Sequence, residues 1–249
     1  MSQSDKGQLR IFEDFFGGED IVANTAASRS FGSEGLRVIG QGIAEADSGI
    51  TVLEADGLSG VGVLTTTNET EHTAGLATAT MIDVGKMGSV VIEARVRFTD
   101  LDTKQFYLGL TDVNADAAIL EGGNFLGSGT TLTLTASDLC GIMLSAELTA
   151  DESWHAIYNG GTTTGQTVST SNDLAVDAVA GEFDILKIEV GPSGTARFFV
   201  NGALKKTVKG AVSTTVDLAV VCMVEAKTAA IETVDVDYIE IKANRDWTR

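Results

Sequence analysis

Asp112-Val113-Asn114-Ala115-Asp116 sets side-chain oxygens at alternate positions, as the opening of a calcium loop does. The rest of an EF-hand is missing. The sixth position is Ala117 rather than glycine, and the twelfth is Gly123 rather than a bidentate glutamate. An EF-hand is therefore excluded. A looser surface calcium site at Asp112, Asn114 and Asp116 stays open, and no other cofactor is expected. Asp235 and Asp237 face one side of the last strand and could also meet a cation, but they read better as edge charges that block unwanted pairing.

The histidines narrow the chemistry further. Only His72 and His155 exist, in separate segments, so a zinc site of several histidines is excluded. A Ser-His-Asp triad would have to use one of the two, and His155 reads as an ordinary strand residue beside Trp154. Cys140 and Cys222 lack metal-binding spacing and sit in the apolar runs LCGIML and VVCMV. Buried free thiols are the expectation for both. The chain has no phosphate-binding Gly-x-x-x-x-Gly-Lys loop, and Gly57 to Val63 is a glycine turn before a strand.

Aromatic residues offer a different chemistry. Tyr107, Trp154 and Tyr158, with Asn159 and the Asp112–Asn114 pair beside them, could form a stacking platform with polar rim for a carbohydrate. The competing reading for Trp154 and Tyr158 is core or edge packing. Phe12, Phe15 and Phe16 cluster in the acidic segment IFEDFFGGED, and three rings so close cannot all be left in water.

These residues need a frame. The chain has 249 residues, 28 of them glycine and one proline, a composition that suits regular strands joined by glycine turns. Its size fits one large β-sandwich. Residues 1–20 read as an N-terminal arm and 21–249 as a single sandwich domain. The net charge of −18, from 35 acidic and 17 basic side chains, disfavours binding to nucleic acid or anionic membranes. The start MSQSDKGQLRIF lacks the apolar core of a signal peptide, so synthesis and retention in a cytoplasm are expected.

Strand signals are clearest in the second half. In 89–100, Val90, Ile92, Ala94, Val96 and Phe98 alternate with Glu93, Arg95 and Arg97. A hairpin through 101–104 is expected to lead into the strand 105–112. A variable loop (113–137) and strands at 139–146 and 153–159 follow. Leu186, Ile188 and Val190 alternate with Lys187 and Glu189 before the turn Gly191-Pro192-Ser193-Gly194. Ala196, Phe198 and Val200 then lead to Asn201-Gly202, whose residue types favour a type I′ hairpin turn. The last strand (233–243) slips register near Tyr238, as a bulge would make it do.

The strand–turn–strand–Asn-Gly run of 183–208, with the closing Val236-Asp237-Tyr238-Ile239-Glu240-Ile241, resembles the concanavalin A-like, laminin-G-type jelly roll. The resemblance spans roughly 89–243. It implies an all-β sandwich of two antiparallel sheets whose closing strand pairs back near the N-terminus. One glucanase group in that fold carries Glu-x-Asp-x-x-Glu on a strand. Here Glu182 and Asp184 match its first half, but Lys187 stands where the acid/base glutamate belongs and Glu189 comes two residues late. No enzyme is expected. In style the chain resembles tailed-phage capsid decoration and accessory virion proteins. That likeness implies a non-catalytic cement on the capsid surface, made in the host cytoplasm. Its partners would be the major capsid protein and copies of itself, as a homotrimer, held through Phe12, Phe15 and Phe16. The alternative is a carbohydrate-binding module for host or surface recognition, using Tyr107, Trp154, Tyr158 and Asn159.

Overall fold

The structure is a computed structural model and describes residues 7–16, 21–22, 30–31, 35–43, 45, 48–52, 60–149 and 152–245. The first strands are β1 (Gln8–Glu13), β2 (Ile21–Val22), β3 (Ser30–Phe31), β4 (Leu36–Ile39) and β5 (Gly49–Val52). Then come β6 (Gly62–Thr65), β7 (Thr73–Ala77), β8 (Ile82–Asp83), β9 (Val90–Arg97) and β10 (Lys104–Thr111). The middle contributes β11 (Phe125–Ser128), β12 (Thr131–Leu134), β13 (Leu139–Ser145), β14 (Ser153–Asn159), a one-turn helix α1 (Ser169–Asn172) and β15 (Asp173–Asp177). The chain closes with β16 (Phe183–Val190), β17 (Ala196–Val200), β18 (Ala203–Val208), β19 (Asp217–Ala226) and β20 (Thr233–Asn244).

Two antiparallel sheets form the sandwich. The first runs β18-β17-β16-β9-β20-β6-β5-β2, with β1 also paired to β20. The second runs β15-β14-β13-β10-β19-β7-β4-β3, with β8 on β19. Strand β9 alternates buried and half-buried residues along its length, because one face meets the core and the other meets water. Its inward Val90, Ile92, Ala94 and Val96 pack in one core with Phe106, Leu108, Ile142, Trp154, Val220 and Cys222 of the second sheet. Both cysteines are free and buried, on either side of β10 opposite Leu110 and Leu108.

Several sequence expectations are met. Asn201 and Gly202 have φ of 50° and 77°, the left-handed pair that a type I′ turn needs. The Gly191–Gly194 turn is closed by a Gly194 N–H to Gly191 C=O bond of 2.9 Å. Register slips between Val236 and Tyr238. The closing strand pairs with the N-terminal segment from Gln8↔Asn244 to Glu13↔Ile239.

Two expectations fail. Strands β9 and β10 do not form a hairpin: they lie in different sheets, and the link between them crosses the sandwich. The loop expected at 113–137 holds the two-stranded sheet β11–β12 and is largely packed. Ala118, Leu120, Phe125, Leu132 and Ala136 form a second core with Tyr107, Met143, Ile157, Val221 and Met223. The second sheet is therefore buried on both faces, which is why β13 and β19 read as continuous apolar runs.

Candidate functional site

The covering segment decides where a ligand can reach this molecule. It closes over the centre of the second sheet's outer face and leaves an opening at its start. Arg37, Ala79, Thr80 and the run Asp112–Ala115 line an open cleft of about 820 Å³ there. Asp112 and Asn114, both singled out by sequence, are in its wall.

Arg37, on β4, organises this run. Its Nη1 donates to Asp116 Oδ1 at 2.7 Å, and its Nη2 donates to Asn114 Oδ1 at 2.6 Å and to Asn114 C=O at 2.7 Å. The calcium set of Asp112, Asn114 and Asp116 is thereby corrected. Asn114 Oδ1 and Asp116 Oδ1 already accept from a guanidinium, and a cation placed among them would meet its positive charge.

Asp112 turns elsewhere. Its N–H donates to the C=O of Asp138 at 3.0 Å, and Asp112 Oδ1 and Asp138 Oδ1 are both buried without a hydrogen-bond partner. Asp138 is 9 % exposed. Burial, and then the charge of Asp112 beside it, raise its pKa above the usual carboxylate range. Two orphaned carboxylate oxygens are the kind of donor that a hard cation accepts. Asp112 and Asp138 therefore fit a cation in a way that Asn114 and Asp116 do not.

The aromatic platform is overturned by burial. Trp154 and Tyr107 have no exposed surface, and Tyr158 has 3 %. Trp154 packs edge-on against Phe106, with ring centroids 6.0 Å apart, and lies 5.9 Å from Phe98. Tyr107 lies over Gly141, where an added Cβ would fall 2.4 Å from its ring, and donates its hydroxyl to Leu110 C=O at 2.6 Å. Asn159 donates to Ala136 C=O at 3.0 Å, so it ties down the covering segment. None of the three rings can stack on an external ligand as placed.

The arm is also read differently from the structure. Residues 1–6 and 17–20 lie outside the described residues, but Gln8–Glu13 is a strand in the protein's own first sheet. Phe15 is 1 % exposed and belongs to the main core. Phe12 rests against Tyr238, with centroids 6.2 Å apart, and Arg10 lies over its ring at 5.3 Å. Phe16, 72 % exposed, is the most exposed ring of the three, and Phe12 is 38 % exposed.

The half-matched carboxylate motif has a structural use. Asp184 is buried and accepts from Trp154 Nε1 at 3.0 Å and from Asn201 Nδ2 at 2.7 Å, while Glu182 stays exposed. Asp184 is thus a buried structural carboxylate rather than a solvated residue at the strand entry. Lys187 pairs with Glu189 at 2.7 Å on the solvent face. The edge charges assigned to Asp235 and Asp237 lie instead on an interior strand, bound to Arg97 at 2.6 Å and Arg95 at 2.7 Å. Those two guanidiniums stack on Phe183 at 4.5 and 4.1 Å.

Two clusters escaped the sequence reading. Glu225 is fully buried at the margin of the covering segment and accepts the N–H groups of Leu120 at 2.6 Å and Glu121 at 3.0 Å. Burial pushes its pKa up to about 8. Lys227 pairs with Glu121 beside it. Separately, Glu45, Glu69 and His72 converge between two loops. Neither cluster has a contiguous motif. The one sequence signal was Glu225 itself, a charge inside an otherwise apolar strand.

With this geometry in view, the likeness to solved structures is specific for architecture. A protein of unknown function, SO2946 from Shewanella oneidensis MR-1, matches with a TM-score of 0.58 and 14 % identity over 100 % of this chain and 97 % of its own. LamAcat from Zobellia galactanivorans matches at 0.56 and 12 %, over 96 % and 99 %. The Emp46p carbohydrate recognition domain matches at 0.54 and 12 %, over 92 % and 97 %, and has also been solved in a potassium-bound form. The fold is the lectin-like, concanavalin A-type jelly roll. Identities this low establish the fold alone. No family model and no curated protein matches the chain.

Proposed function

We propose that this chain is a non-catalytic carbohydrate-binding domain whose ligand seats in the cleft formed by Arg37, Asp112 and Asn114. The observation that carries this reading is the cleft itself, which pairs polar groups with apolar surface. Arg37, Asp112 and Asn114 supply the polar lining, and Ala79, Val113 and Ala115 offer apolar surface. Sugar hydroxyls both donate and accept, and sugar C–H faces pack on small apolar groups. The Emp46p domain, a carbohydrate recognition domain of similar fold, supports the class.

A calcium ion fits this reading through Asp112 and Asp138. It would neutralise the buried Oδ1 atoms of Asp138 and of the half-buried Asp112, and fix the start of the covering segment against β13. Among the described residues no aromatic ring lines the cleft, and affinity for a monosaccharide is expected in the millimolar range.

Capsid decoration through an arm has less to stand on. It needs Phe12, Phe15 and Phe16 free to reach a major capsid protein or a second copy, whereas Phe15 is in the core and β1 pairs with β20. Glycan-array screening of the full chain, with and without CaCl₂, tests the proposal. Calcium-dependent binding to a defined glycan class, lost in Asn114→Ala, is the expected result. Absence of binding to every glycan class would overturn it.

A further inference from the structure

We propose that Glu45, Glu69 and His72 form a binding site for a first-row divalent cation, with Zn²⁺ the best-suited ion. The site is independent of the cleft. It is built from the loop after β4 and the loop before β7, and one donor atom from each residue lies within 4.8 Å of the other two.

The histidine is held in place. Its side chain is only 12 % exposed, and the backbone at Gly42 packs so closely on the ring that a Cβ there would fall 2.2 Å from Nδ1. Thr67, itself fully buried, places its hydroxyl 2.6 Å from His72 Nδ1. A hydroxyl can serve either tautomer, so it can accept an Nδ1–H and leave the Nε2 lone pair free for a metal. A fixed imidazole whose far nitrogen is hydrogen-bonded to an oxygen is the arrangement that metal-binding histidines use.

The carboxylates complete the set. Glu69 Oε2 lies 3.0 Å from Nε2, and Glu45 Oε1 lies 3.7 Å from Nδ1. Their side chains are 57 % and 48 % exposed, so both can rotate. Tetrahedral zinc brings its donors to about 3.3 Å of one another, so Glu45, which stands on the Nδ1 side, has to swing toward Nε2 from a set whose donors lie within 4.8 Å. Among the described residues, neither glutamate is ion-paired to a lysine or arginine. One nitrogen and two oxygens suit zinc or its neighbours better than calcium or magnesium, which favour all-oxygen shells. Three protein ligands leave a fourth position for water. On binding, the imidazole keeps its one proton at Nδ1, donated to the Thr67 hydroxyl, and any proton held between Nε2 and Glu69 is released to solvent.

The test is calorimetric titration of the chelator-treated full chain with ZnCl₂, repeated with CaCl₂. Wild type and the variants His72→Gln, Glu69→Gln and the double variant Glu45→Gln/Glu69→Gln are compared, with Asp138→Asn as a control for the cleft. The glutamates are exposed, so their variants keep the fold, which circular dichroism checks. The expected result is one zinc per chain, affinity reduced about tenfold or more in each of the three site variants, and no loss in Asp138→Asn. Zinc binding that is absent, or equally strong in the double variant, would overturn the proposal. Neither result bears on glycan binding.

Discussion

Trp154 donates its indole N–H to Asp184 at 3.0 Å across the interior of the sandwich, from β14 of the second sheet to β16 of the first. Asp184 also accepts from Asn201, which itself shapes the β17–β18 turn. One buried carboxylate thus joins both sheets and a hairpin. A residue type that invites a catalytic reading and another that invites a sugar-stacking reading are here each other's partners.

Trp154→Ala should therefore act on stability rather than binding. Loss of a fully buried indole costs about 3–5 kcal/mol, and it strands Asp184 without its donor. Urea denaturation measures this. A variant of wild-type stability would show that the indole is not packed as described.

Glu225 should give stability a pH dependence. Its pKa is about 8 when folded and lies near the ordinary glutamate value when unfolded. The folded state therefore holds a proton that the unfolded chain has released. Its contribution is complete below about pH 4.5, falls by up to about 1.4 kcal/mol per unit through the window, and is gone above about pH 8. Glu225→Gln, which cannot ionise, should flatten that slope in unfolding curves taken from pH 5 to pH 8.

Phe15 and Phe16 are neighbours with opposite roles. Phe15→Ala should cost about 3–5 kcal/mol, because it empties a site in the main core. Phe16→Ala, at an exposed ring, should change stability by less than about 0.5 kcal/mol. Thermal unfolding of the two variants separates a packed segment from an arm reserved for a partner, since the arm reading expects both changes to leave the isolated fold intact.

Period-2 alternation made β9, β16, β17 and the slip near Tyr238 legible, because those strands have one wet and one dry face. The alternation says which residues are buried but not what buries them. That is why β9 and β10 were joined as a hairpin although they sit in opposite sheets. Strand β7 carries no such alternation. Thr73-Ala74-Gly75-Leu76-Ala77 is small and buried throughout, and a Cβ on Gly75 would fall 2.8 Å from Cys222 C=O, so close packing replaced the usual large apolar residues. The candidate cleft was half legible. Asp112 and Asn114 stood out by spacing, but Arg37 and Asp138 reach them across 77 and 26 positions of sequence, separations that no local motif encodes. Ring type does not report burial, so the platform and the core readings of the aromatic residues stand side by side in the sequence; Trp154 is buried between the two sheets and Tyr107 under a segment expected to be loop.

Glycan binding at the cleft is the central claim, and titration of the full chain with the best-scoring array glycan tests it most directly. Wild type and Asn114→Ala are to be compared in calcium. The account predicts saturable one-to-one binding by wild type, with at least a tenfold loss in Asn114→Ala (about 1.4 kcal/mol or more). Equal affinity in the two proteins would place the ligand elsewhere and contradict the account.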